Sequence, residues 1–379
     1  MQTQRTVLTL FGTRPEIIKL APVIRALETS NDAFRNVNVS SSQHTDLLHP
    51  FARGFGVQID HDLAVMAPGQ RPADVLARVV AGVGAVIDAE RPDLLLVQGD
   101  TTTALAGALA ACYARVPVGH VEAGLRTGDP ASPFPEEINR RLIGRVADWH
   151  FAATAENAAT LRAEGVDDAR IVVTGNPVVD ALHGILADGR PSAELADLLA
   201  RVAGRRLLVV TTHRRENFGD VMAGHLRALR RFVGRHDDLA VVFPVHPNPA
   251  VRAAAEAELA GVGRIHRIAP LAYADFIHLL SQAWLIASDS GGIQEEAPTL
   301  GKPVLILRDT TERPEAIACG VGRLVGHDAD RFEAMLEAAY RDTTWFEQAR
   351  SVVNPFGRGD AGARIVAALR KHFTMAGSA

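Results

Sequence analysis

Short runs of β-branched and other apolar residues alternate with segments of helical period from one end of the sequence to the other. The first run, TVLTLF at 6–11, leads into a segment from about Pro15 in which apolar residues recur at the i, i+3, i+4 spacing of an amphipathic helix. This alternation is typical of parallel sheets that carry helices on both faces. The sequence therefore predicts an α/β protein with doubly wound sheets.

The remaining elements follow the same rhythm. In the first half we predict strands at VNVSS, DLLLVQG, VGHVE, WHFAAT and RIVVTG, and helices at about 72–90, 101–116, 135–147 and 155–165 and from Pro177. In the second half we predict strands at RLLVVTTH, AVVFPVH, RIHRIA, WLIASDS, PVLILRD and GRLVG. No short-period repeat is present, which excludes solenoids and propellers.

The rhythm is interrupted once, at 187–204, before it resumes with RLLVVTTH. A chain of 379 residues also exceeds the roughly 100–200 residues of a usual domain. We therefore predict two Rossmann-like domains, at 1–186 and at 187–357. The last helix, at about 358–373, follows the breaker segment NPFGRGD, and we expect residues 358–379 to join the first domain.

Composition narrows the class of protein. Apolar residues make up 47% of the chain and charged residues 22%, as in average globular proteins, and no apolar run reaches the roughly 20 residues of a membrane span. The N-terminal segment does not have the pattern of a signal peptide, so we expect a cytoplasmic protein. A net charge of −4 without a basic stripe argues against a nucleic-acid surface. Cys112 and Cys319 are far apart, and we expect both to be reduced packing residues.

Ligands of doubly wound sheets bind beyond the carboxyl ends of the strands, so the loops that follow strands carry the chemistry. After the first strand, FGTRPE brings Arg14 and Lys19 close to a helix start, and the helix dipole adds to a phosphate-binding interpretation. The alternative is an ordinary loop with surface charges. Because no GxGxxG segment follows this strand, we expect no nicotinamide cofactor.

Two carboxylates follow neighbouring apolar strands, Asp100 in QGDTTT and Glu122 in GHVEAGLRTGD. At adjoining strand ends, repulsion and partial burial would raise one pKa and permit proton transfer. The alternative for Asp100 is a helix N-cap. In SPFPEEINRR, Glu136 and Arg140 share a helix face, either as a surface ion pair or as an acid with its positioning partner. Ser132 precedes them on a loop that we interpret as an active-site lid.

Histidine and arginine follow two strands of the second half, with His213 and Arg214 in TTHRREN and His246 in PVHPNP. These side chains suit a diphosphate. Paired histidines also suit a metal, but the spacing fits no familiar zinc pattern, so we expect none. Phe276 in AYADFIHLL is either a base-stacking residue or, as is more usual for a helical phenylalanine, part of the core.

The segment SDSGGIQEEAPTLGKP is the most specific in the chain. Ser290, Gly291 and Gly292 form a turn of small residues into a helix, where backbone N–H groups can approach a phosphate closely. One turn later, a carboxylate of Glu295 or Glu296 is placed to accept hydrogen bonds from the two ribose hydroxyls, as in dinucleotide sites. The alternative is a glycine N-cap followed by a solvated acidic turn.

These segments, together with RDTTERPEA, resemble in order the signature series of bacterial non-hydrolysing UDP-N-acetylglucosamine 2-epimerases. The resemblance spans nearly the whole chain. It implies a GT-B type of fold, with two domains facing a cleft, UDP held mainly by the second domain and the sugar facing the first. It also implies a homodimer, no nicotinamide cofactor or metal, and a role in cell-surface polysaccharide biosynthesis.

The resemblance further implies roles for particular residues. It assigns the catalytic carboxylates to Asp100, Glu122 and Glu136. It assigns the positioning or stabilising of reacting groups to Arg14, Lys19, Arg140 and His213. It places the UDP site at Phe276, Ser290, Gly291, Gly292 and Glu296. An activating second molecule of UDP-N-acetylglucosamine would contact Gln43, His44, Arg214 and His246, although Asp46 stands where the family pattern has a second glutamine.

The expected reaction is the interconversion of UDP-N-acetylglucosamine and UDP-N-acetylmannosamine. Because no adjacent carbonyl activates the proton on carbon 2, we expect elimination of UDP to a glycal, followed by re-addition with the proton delivered to the opposite face. Three alternatives remain: a 2-epimerase of a related sugar such as UDP-2,3-diacetamido-2,3-dideoxy-glucuronic acid, a GT-B glycosyltransferase, and a non-catalytic nucleotide-sugar sensor. The carboxylates at the strand ends argue against the last two.

Overall fold

The computed structural model describes residues 4–43, 45–131 and 133–376. The chain divides into two compact units, one of Met1–Ala181 with Phe356–Ala379 (unit 1) and one of Leu182–Pro355 (unit 2). Each unit is built on one parallel sheet with helical connections. The prediction of two doubly wound α/β domains is confirmed. The first boundary falls inside a helix, Pro177–Asp188, and so no linker marks it in the sequence.

The sheet of unit 1 has seven parallel strands in the order β3-β2-β1-β4-β5-β6-β7. These strands are β1 (Arg5–Phe11), β2 (Phe34–Ser40), β3 (His61–Asp62), β4 (Leu94–Gln98), β5 (Val118–Ala123), β6 (Trp149–Ala152) and β7 (Ile171–Val173). The helices up to the boundary are α1 (Arg14–Thr29), α2 (Thr45–Gly54), α3 (Pro72–Glu90), α4 (Thr102–Tyr113), α5 (Glu136–Val146), α6 (Ala155–Ala163) and α7 (Pro177–Asp188). The short strand β3 and helix α2 are additions to the predicted elements.

The sheet of unit 2 has six parallel strands in the order β10-β9-β8-β11-β12-β13. These strands are β8 (Arg206–Thr211), β9 (Leu239–Pro244), β10 (Ile265–Ile268), β11 (Leu285–Ser288), β12 (Val304–Ile306) and β13 (Gly322–Leu324). The helices are α8 (Ala193–Arg201), α9 (Asp220–Arg235), α10 (Pro249–Leu259), α11 (Tyr273–Gln282), α12 (Gly291–Leu300), α13 (Pro314–Ala318), α14 (Ala329–Arg341) and α15 (Thr344–Ser351). Each strand predicted for this half is present.

The C-terminal helix, α16 (Ala361–Ala376), packs on α1 within unit 1. Its Ile365 and Leu369 are buried in the same apolar cluster as Ile17 and Ile24 of the predicted apolar face of α1. The two helices approach closely at Gly362, where an added Cβ would lie 2.7 Å from a backbone carbonyl oxygen of α1. A larger residue at this position would separate the helices and open the cluster.

Two local expectations are wrong. Cys112 is exposed rather than packed, because it lies in the last turn of α4, where Tyr113 is also 85% exposed. Cys319, just after α13, is half-buried, and both cysteines are free. Pro135, the first residue of the helix predicted at about 135–147, is instead the N-cap residue of α5. Among the helices that the structure describes, none is both long and apolar enough to cross a membrane.

Candidate active site

The order of strands in each sheet marks one place where a ligand can bind. Chain order reverses between β1 and β4 in unit 1 and between β8 and β11 in unit 2. The connections that leave two such neighbouring strands run to opposite faces of the sheet, and a crevice remains at their carboxyl ends. The predicted segments FGTRPE, QGDTTT, TTHRREN and SDSGG follow these four strands.

Asp100 follows β4 in a turn, and it does not cap the next helix. The N-cap of α4 is Thr101, whose hydroxyl accepts a hydrogen bond from the N–H of Ala104 at 3.0 Å. The carboxylate of Asp100 instead pairs with the guanidinium of Arg140 in α5, with Nε 3.1 Å from Oδ2. The structure therefore excludes the capping interpretation and leaves Asp100 with a charged partner at the strand end.

Arg140 is buried, and its guanidinium also pairs with a second carboxylate, with Nη1 3.1 Å from Oε2 of Glu137. Burial would raise the pKa of Glu137, but a hydrogen bond from the Thr127 N–H and the neighbouring guanidinium groups outweigh it and lower the pKa. Glu136, the carboxylate expected to share a face with Arg140, is half-buried. Within the described part of the chain, Glu136 makes no hydrogen bond or ion pair, so its carboxylate is not committed to a structural partner.

Glu122 lies at the end of β5 in a strained conformation. Its φ of 64° is in the left-handed region, and the pairing register with β6 shifts between Val121 and Ala123. Such irregularities redirect a side chain and concentrate at functional sites. The carboxylate contacts the ammonium of Lys19 and the side-chain amides of Gln98 and Asn176, the last at 3.0 Å.

These contacts hold the Glu122 carboxylate in one place against the cost of its backbone conformation. The roles of Gln98 and Asn176 were missed in the sequence analysis, because no local pattern connects Asn176 with a residue 54 positions away.

A fully buried carboxylate, Glu16, connects the loops after β1 and β4. It accepts hydrogen bonds from the N–H groups of Gly12 and Thr13 and from the Thr101 hydroxyl, at 2.9, 2.8 and 2.6 Å. Burial raises the pKa of Glu16 despite these bonds. Gly12 and Thr13 precede α1, with Thr13 as its N-cap, so Glu16 fixes the turn that enters the helix. Arg14 is the first residue of α1, and its guanidinium lies 5.2 Å from the centroid of a phenylalanine ring.

The buried side chain of His120 contacts the backbone of the turn that contains Asp100. Its Nε2 is 2.7 Å from the carbonyl oxygen of Gly99, the residue just before Asp100. Burial lowers the pKa of His120 to about 3, so the ring is neutral at neutral pH. His120 is therefore a structural support of the Asp100 turn and not a proton donor.

In unit 2, the fully buried Asp289 holds the loop after β8. It accepts hydrogen bonds from the N–H groups of His213 and Arg214, each at 3.0 Å, from the Thr212 hydroxyl at 2.8 Å and from the Asn217 amide at 2.9 Å. Four polar groups of the loop after β8 thus meet around one carboxylate of another segment. The sequence analysis did not assign a role to Asp289 or Asn217.

His213 and His246, to which the sequence analysis gave separate roles, lie together. Their rings stack with centroids 5.6 Å apart and an interplanar angle of 23°. Burial lowers the pKa of His213, against the opposing effect of Asp289, and the positive charge of Arg214 adds to the decrease. A neutral imidazole at the end of β8 can donate a hydrogen bond from one ring nitrogen and accept one at the other.

The predicted phosphate turn lies at the start of α12, with Ser290 as the N-cap. The N–H groups of Gly291 and Gly292 are in the first turn, where they have no acceptor within the helix. An added Cβ at Gly291 would lie 2.6 Å from Nη1 of Arg313, so a larger residue here would require this guanidinium to move. Arg313, in the segment RDTTERPEA, is a further cation of the site that the residue-level reasoning missed.

Glu296, one turn into α12, is buried rather than solvated, and so is Glu295. The Oε1 of Glu296 accepts a hydrogen bond from the Tyr273 hydroxyl at 2.8 Å, and Glu295 pairs with Arg313 at 2.7 Å. The interpretation as a solvated acidic turn is therefore excluded. Phe276, three residues after Tyr273 on α11, is half-buried and is not among the described residues of the unit 2 core cluster.

The residues predicted to hold an activator are only partly described. Gln43 accepts a hydrogen bond from the Thr103 hydroxyl in unit 1 at 2.8 Å, and Arg214 lies 3.8 Å from Glu312 in unit 2. His44 and the predicted lid residue Ser132 lie outside the described residues, as does the side chain of Asp46. Within residues 4–43, 45–131 and 133–376, no cluster of three or more histidine, cysteine or acidic side chains is arranged to hold a metal ion.

Sequence and structure both match one family of proteins. The family model described as UDP-N-acetylglucosamine 2-epimerase matches residues 25–370. A probable UDP-N-acetylglucosamine 2-epimerase of Ralstonia nicotianae is 45% identical over 374 residues, covering 97% of this chain and 100% of that protein. The UDP-N-acetylglucosamine 2-epimerase of Escherichia coli is 44% identical over 372 residues, covering 97% and 98%. The crystal structure of the Neisseria meningitidis UDP-N-acetylglucosamine 2-epimerase bound to UDP-N-acetylglucosamine has a TM-score of 0.90 at 38% identity, covering 97% and 100%.

Proposed function

This chain belongs to the UDP-N-acetylglucosamine 2-epimerase family, and we propose that it interconverts UDP-N-acetylglucosamine and UDP-N-acetylmannosamine by elimination and re-addition of UDP. The observation that carries the proposal is the arrangement of charged carboxylates at two neighbouring strand ends, Asp100 after β4 and Glu122 at the end of β5. Proton transfer is the work that such a pair can do and that a sugar-binding sensor does not need.

On the sugar side, which we assign to unit 1, the reaction needs one group to remove the proton from carbon 2 and another to return it on the opposite face. Asp100, Glu122 and Glu136 are the candidates, and each stands in a different environment. Arg140 neutralises Asp100, Lys19 neutralises Glu122, and Glu136 is uncommitted among the described residues. The three carboxylates thus differ in their partners, and between them they offer candidates for both the acid and the base that the reaction needs.

On the UDP side, which we assign to unit 2, the leaving diphosphate needs hydrogen-bond donors and positive charge. The N–H groups of Gly291 and Gly292 and the side chain of Arg313 lie together at the start of α12. His213 adds an imidazole held in place by Asp289. Donors fixed before the bond breaks stabilise the developing charge without reorganisation.

The elimination route predicts exchange of the carbon 2 proton with solvent. In heavy water, UDP-N-acetylmannosamine formed by the enzyme without added nicotinamide or metal should carry deuterium at carbon 2, because the proton lost in the first step equilibrates with solvent before the second. Proton NMR of the product measures this directly, with the same substrate incubated without protein as the control. Product that keeps its full carbon 2 proton signal contradicts the glycal intermediate.

The Glu296→Ala variant should bind UDP more weakly by about 1–3 kcal/mol, the range for the loss of a charged hydrogen-bond partner of the ribose. Isothermal titration with UDP measures the change. Tyr273→Phe is the matched control, since it removes the hydroxyl that bonds Glu296 and keeps the carboxylate. If Glu296→Ala and the control have equal affinities, Glu296 only fixes the packing of α11 against α12.

The same substrate separates the remaining alternatives. A 2-epimerase of UDP-2,3-diacetamido-2,3-dideoxy-glucuronic acid would turn over UDP-N-acetylglucosamine poorly. A GT-B glycosyltransferase would give no epimer without an acceptor, and a sensor would give no product at all. Following UDP-N-acetylglucosamine alone by NMR separates the proposed epimerase from all three alternatives, and the epimerase relatives support UDP-N-acetylglucosamine as the substrate of this chain.

We also propose that a second molecule of UDP-N-acetylglucosamine activates the enzyme through His246 and Arg214, with Gln43 and His44 as contacts from unit 1. The stacking of His246 on His213 supports this, because a ligand that moves one ring also moves the other.

We further propose that the enzyme is a homodimer. The supporting feature is a pair of exposed apolar side chains, Ile138 and Leu142, on one face of α5. We place the enzyme in the reducing cytoplasm, and the free thiols of both cysteines agree with this location. Its product would enter the biosynthesis of cell-surface polysaccharide.

A further inference from the structure

A cavity of about 270 Å³ lies in unit 2, away from the residues of the proposed UDP site. Its lining includes residues at the beginnings of three strands: Arg206 at the start of β8, Trp284 just before β11 and Lys302 just before β12. The candidate UDP residues follow the carboxyl ends of the same strands. The cavity is therefore at the opposite edge of the sheet, and α15 forms its outer side with Phe346 and Arg350.

Positive charge predominates in this cavity. Arg206 is partly compensated, because its Nε lies 3.3 Å from Oδ2 of Asp238. Lys302 and Arg350 are not compensated, since neither side chain has a hydrogen bond or an ion pair within the described part of the chain. Glu347, the one carboxylate that lines the cavity, forms no ion pair with them within 4.0 Å.

The surroundings of Lys302 show that these charges are held together at a cost. Burial lowers the pKa of the Lys302 ammonium, and the nearby Arg350 guanidinium lowers it further. A negative charge between the two groups would reverse both effects, because it replaces lost solvation and separates like charges. Glu347, the one carboxylate among the residues that line the cavity, makes no ion pair with either cation.

Two aromatic side chains form an apolar part of the wall. The rings of Trp284 and Phe346 stack with centroids 5.1 Å apart and an interplanar angle of 17°, and both pack against the core of unit 2. Arg206 also contacts Trp284, with its guanidinium over the ring at 5.6 Å from the centroid. The volume is below the roughly 300–1,000 Å³ of sites for larger organic ligands, so a whole nucleotide sugar does not fit.

We propose that this cavity is a second ligand site, which binds a small organic anion: one phosphate or carboxylate group between Lys302 and Arg350, and an apolar body of about one ring against Trp284 and Phe346. Unpaired cations beside stacked aromatic rings are a combination that recognises such a molecule. The site is separate from the UDP site in sequence and in its position on the sheet.

The test is an NMR titration of the ¹⁵N-labelled full-length protein with phenyl phosphate and with benzoate, in the presence of saturating UDP. The chain has three tryptophans, and the Trp284→Phe variant assigns the indole N–H signal of Trp284. We expect a saturable shift of that signal with at least one probe, and no comparable binding of neutral phenol. The tighter of the two anions shows whether the site prefers phosphate or carboxylate.

The variants Lys302→Gln and Arg350→Gln should each weaken binding of the preferred probe by about tenfold or more, the loss of one charged contact. Arg252→Gln removes an exposed arginine on α10 and should leave the affinity unchanged. Unshifted tryptophan signals without probe show that each variant is folded. Three results each overturn the site: no saturable shift of the Trp284 signal, equal affinities in both cavity variants and the native protein, or phenol binding as tightly as the anions.

Discussion

The Asp100→Asn variant is expected to lose about 100-fold or more of its turnover, the usual contribution of a group in acid–base catalysis. Asparagine keeps the size of the side chain but cannot accept or release a proton. It also removes the negative partner of Arg140, whose guanidinium pairs with Asp100 in the native protein. UDP affinity should not change, because we assign UDP to unit 2 and Asp100 belongs to unit 1.

The structure makes this variant easier to interpret, because folding should be little affected. Thr101 caps α4, so the substitution removes no cap. Arg140 keeps Glu137 as a partner, so no buried guanidinium is left unpaired. The free energy of unfolding should therefore fall by no more than about 1–2 kcal/mol, as for one charge-assisted hydrogen bond.

Turnover is measured by NMR at saturating UDP-N-acetylglucosamine, and UDP affinity by titration calorimetry. The matched control is Asp148→Asn. Asp148 also pairs with an arginine, Arg170, but it lies just before β6, where the strands of the same sheet begin. This variant should keep normal turnover. Glu122→Gln and Glu136→Gln should also be impaired, and the three losses should not add if the carboxylates act as one unit. Near-normal epimerisation by Asp100→Asn would leave Glu122 and Glu136 as the carboxylate candidates.

The framework of both sheets was readable from the sequence because it depends on local pattern. Strands such as LLLVQ of β4 are buried on both faces and therefore appear as continuous apolar runs. The apolar spacing after Pro15 predicted the buried face of α1 for the same reason. Strand β3 has two residues, His61 and Asp62, and helix α2 contains Pro50, so neither had a pattern to detect.

Site residues were predictable where position after a strand is enough, as for Asp100, Glu122 and His213. Their partners were not, because contact depends on the folded arrangement. Asp100 meets Arg140 across 40 positions, and His213 meets Asp289 across 76.

Two neighbouring glutamates of α5 show a second reason why the sequence alone could not predict the whole site. Successive residues of a helix point about 100° apart, so the start of the helix decides which glutamate faces inward. With Pro135 as the N-cap, Glu137 is fully buried beside Arg140, and Glu136 is half-buried. The spacing of four residues between Glu136 and Arg140 could not distinguish these two outcomes.

The Asp289→Asn variant should destabilise the protein by about 2–4 kcal/mol, the largest stability change that we expect from a substitution of similar size. In the native protein, Oδ2 of Asp289 alone accepts hydrogen bonds from four donors: the N–H groups of His213 and Arg214, the Thr212 hydroxyl and the Asn217 amide. A neutral amide oxygen binds each donor more weakly than a carboxylate, by roughly 1 kcal/mol per bond. Thermal or urea unfolding followed by circular dichroism measures the loss.

The same substitution should change the reaction through His213, which identifies Asp289 as a positioning residue and not only a structural one. The negative charge of Asp289 raises the pKa of His213 against the effect of burial, so its removal should lower that pKa further. An NMR titration of the ring signals of His213 measures this shift. With the loop loosened, kcat should fall by about tenfold or more, as expected when the placement of a catalytic group is disturbed.

Asp328→Asn is the matched control for Asp289→Asn. Asp328 also accepts hydrogen bonds from two backbone N–H groups, as the N-cap of α14, but its carboxylate is exposed, and asparagine caps a helix about as well as aspartate. Its stability and turnover should stay close to those of the native protein. A loss of stability in Asp289→Asn with an unchanged His213 pKa and normal kcat would limit Asp289 to folding. If all three quantities change together, the buried carboxylate after β11 sets both the position and the protonation of the imidazole after β8.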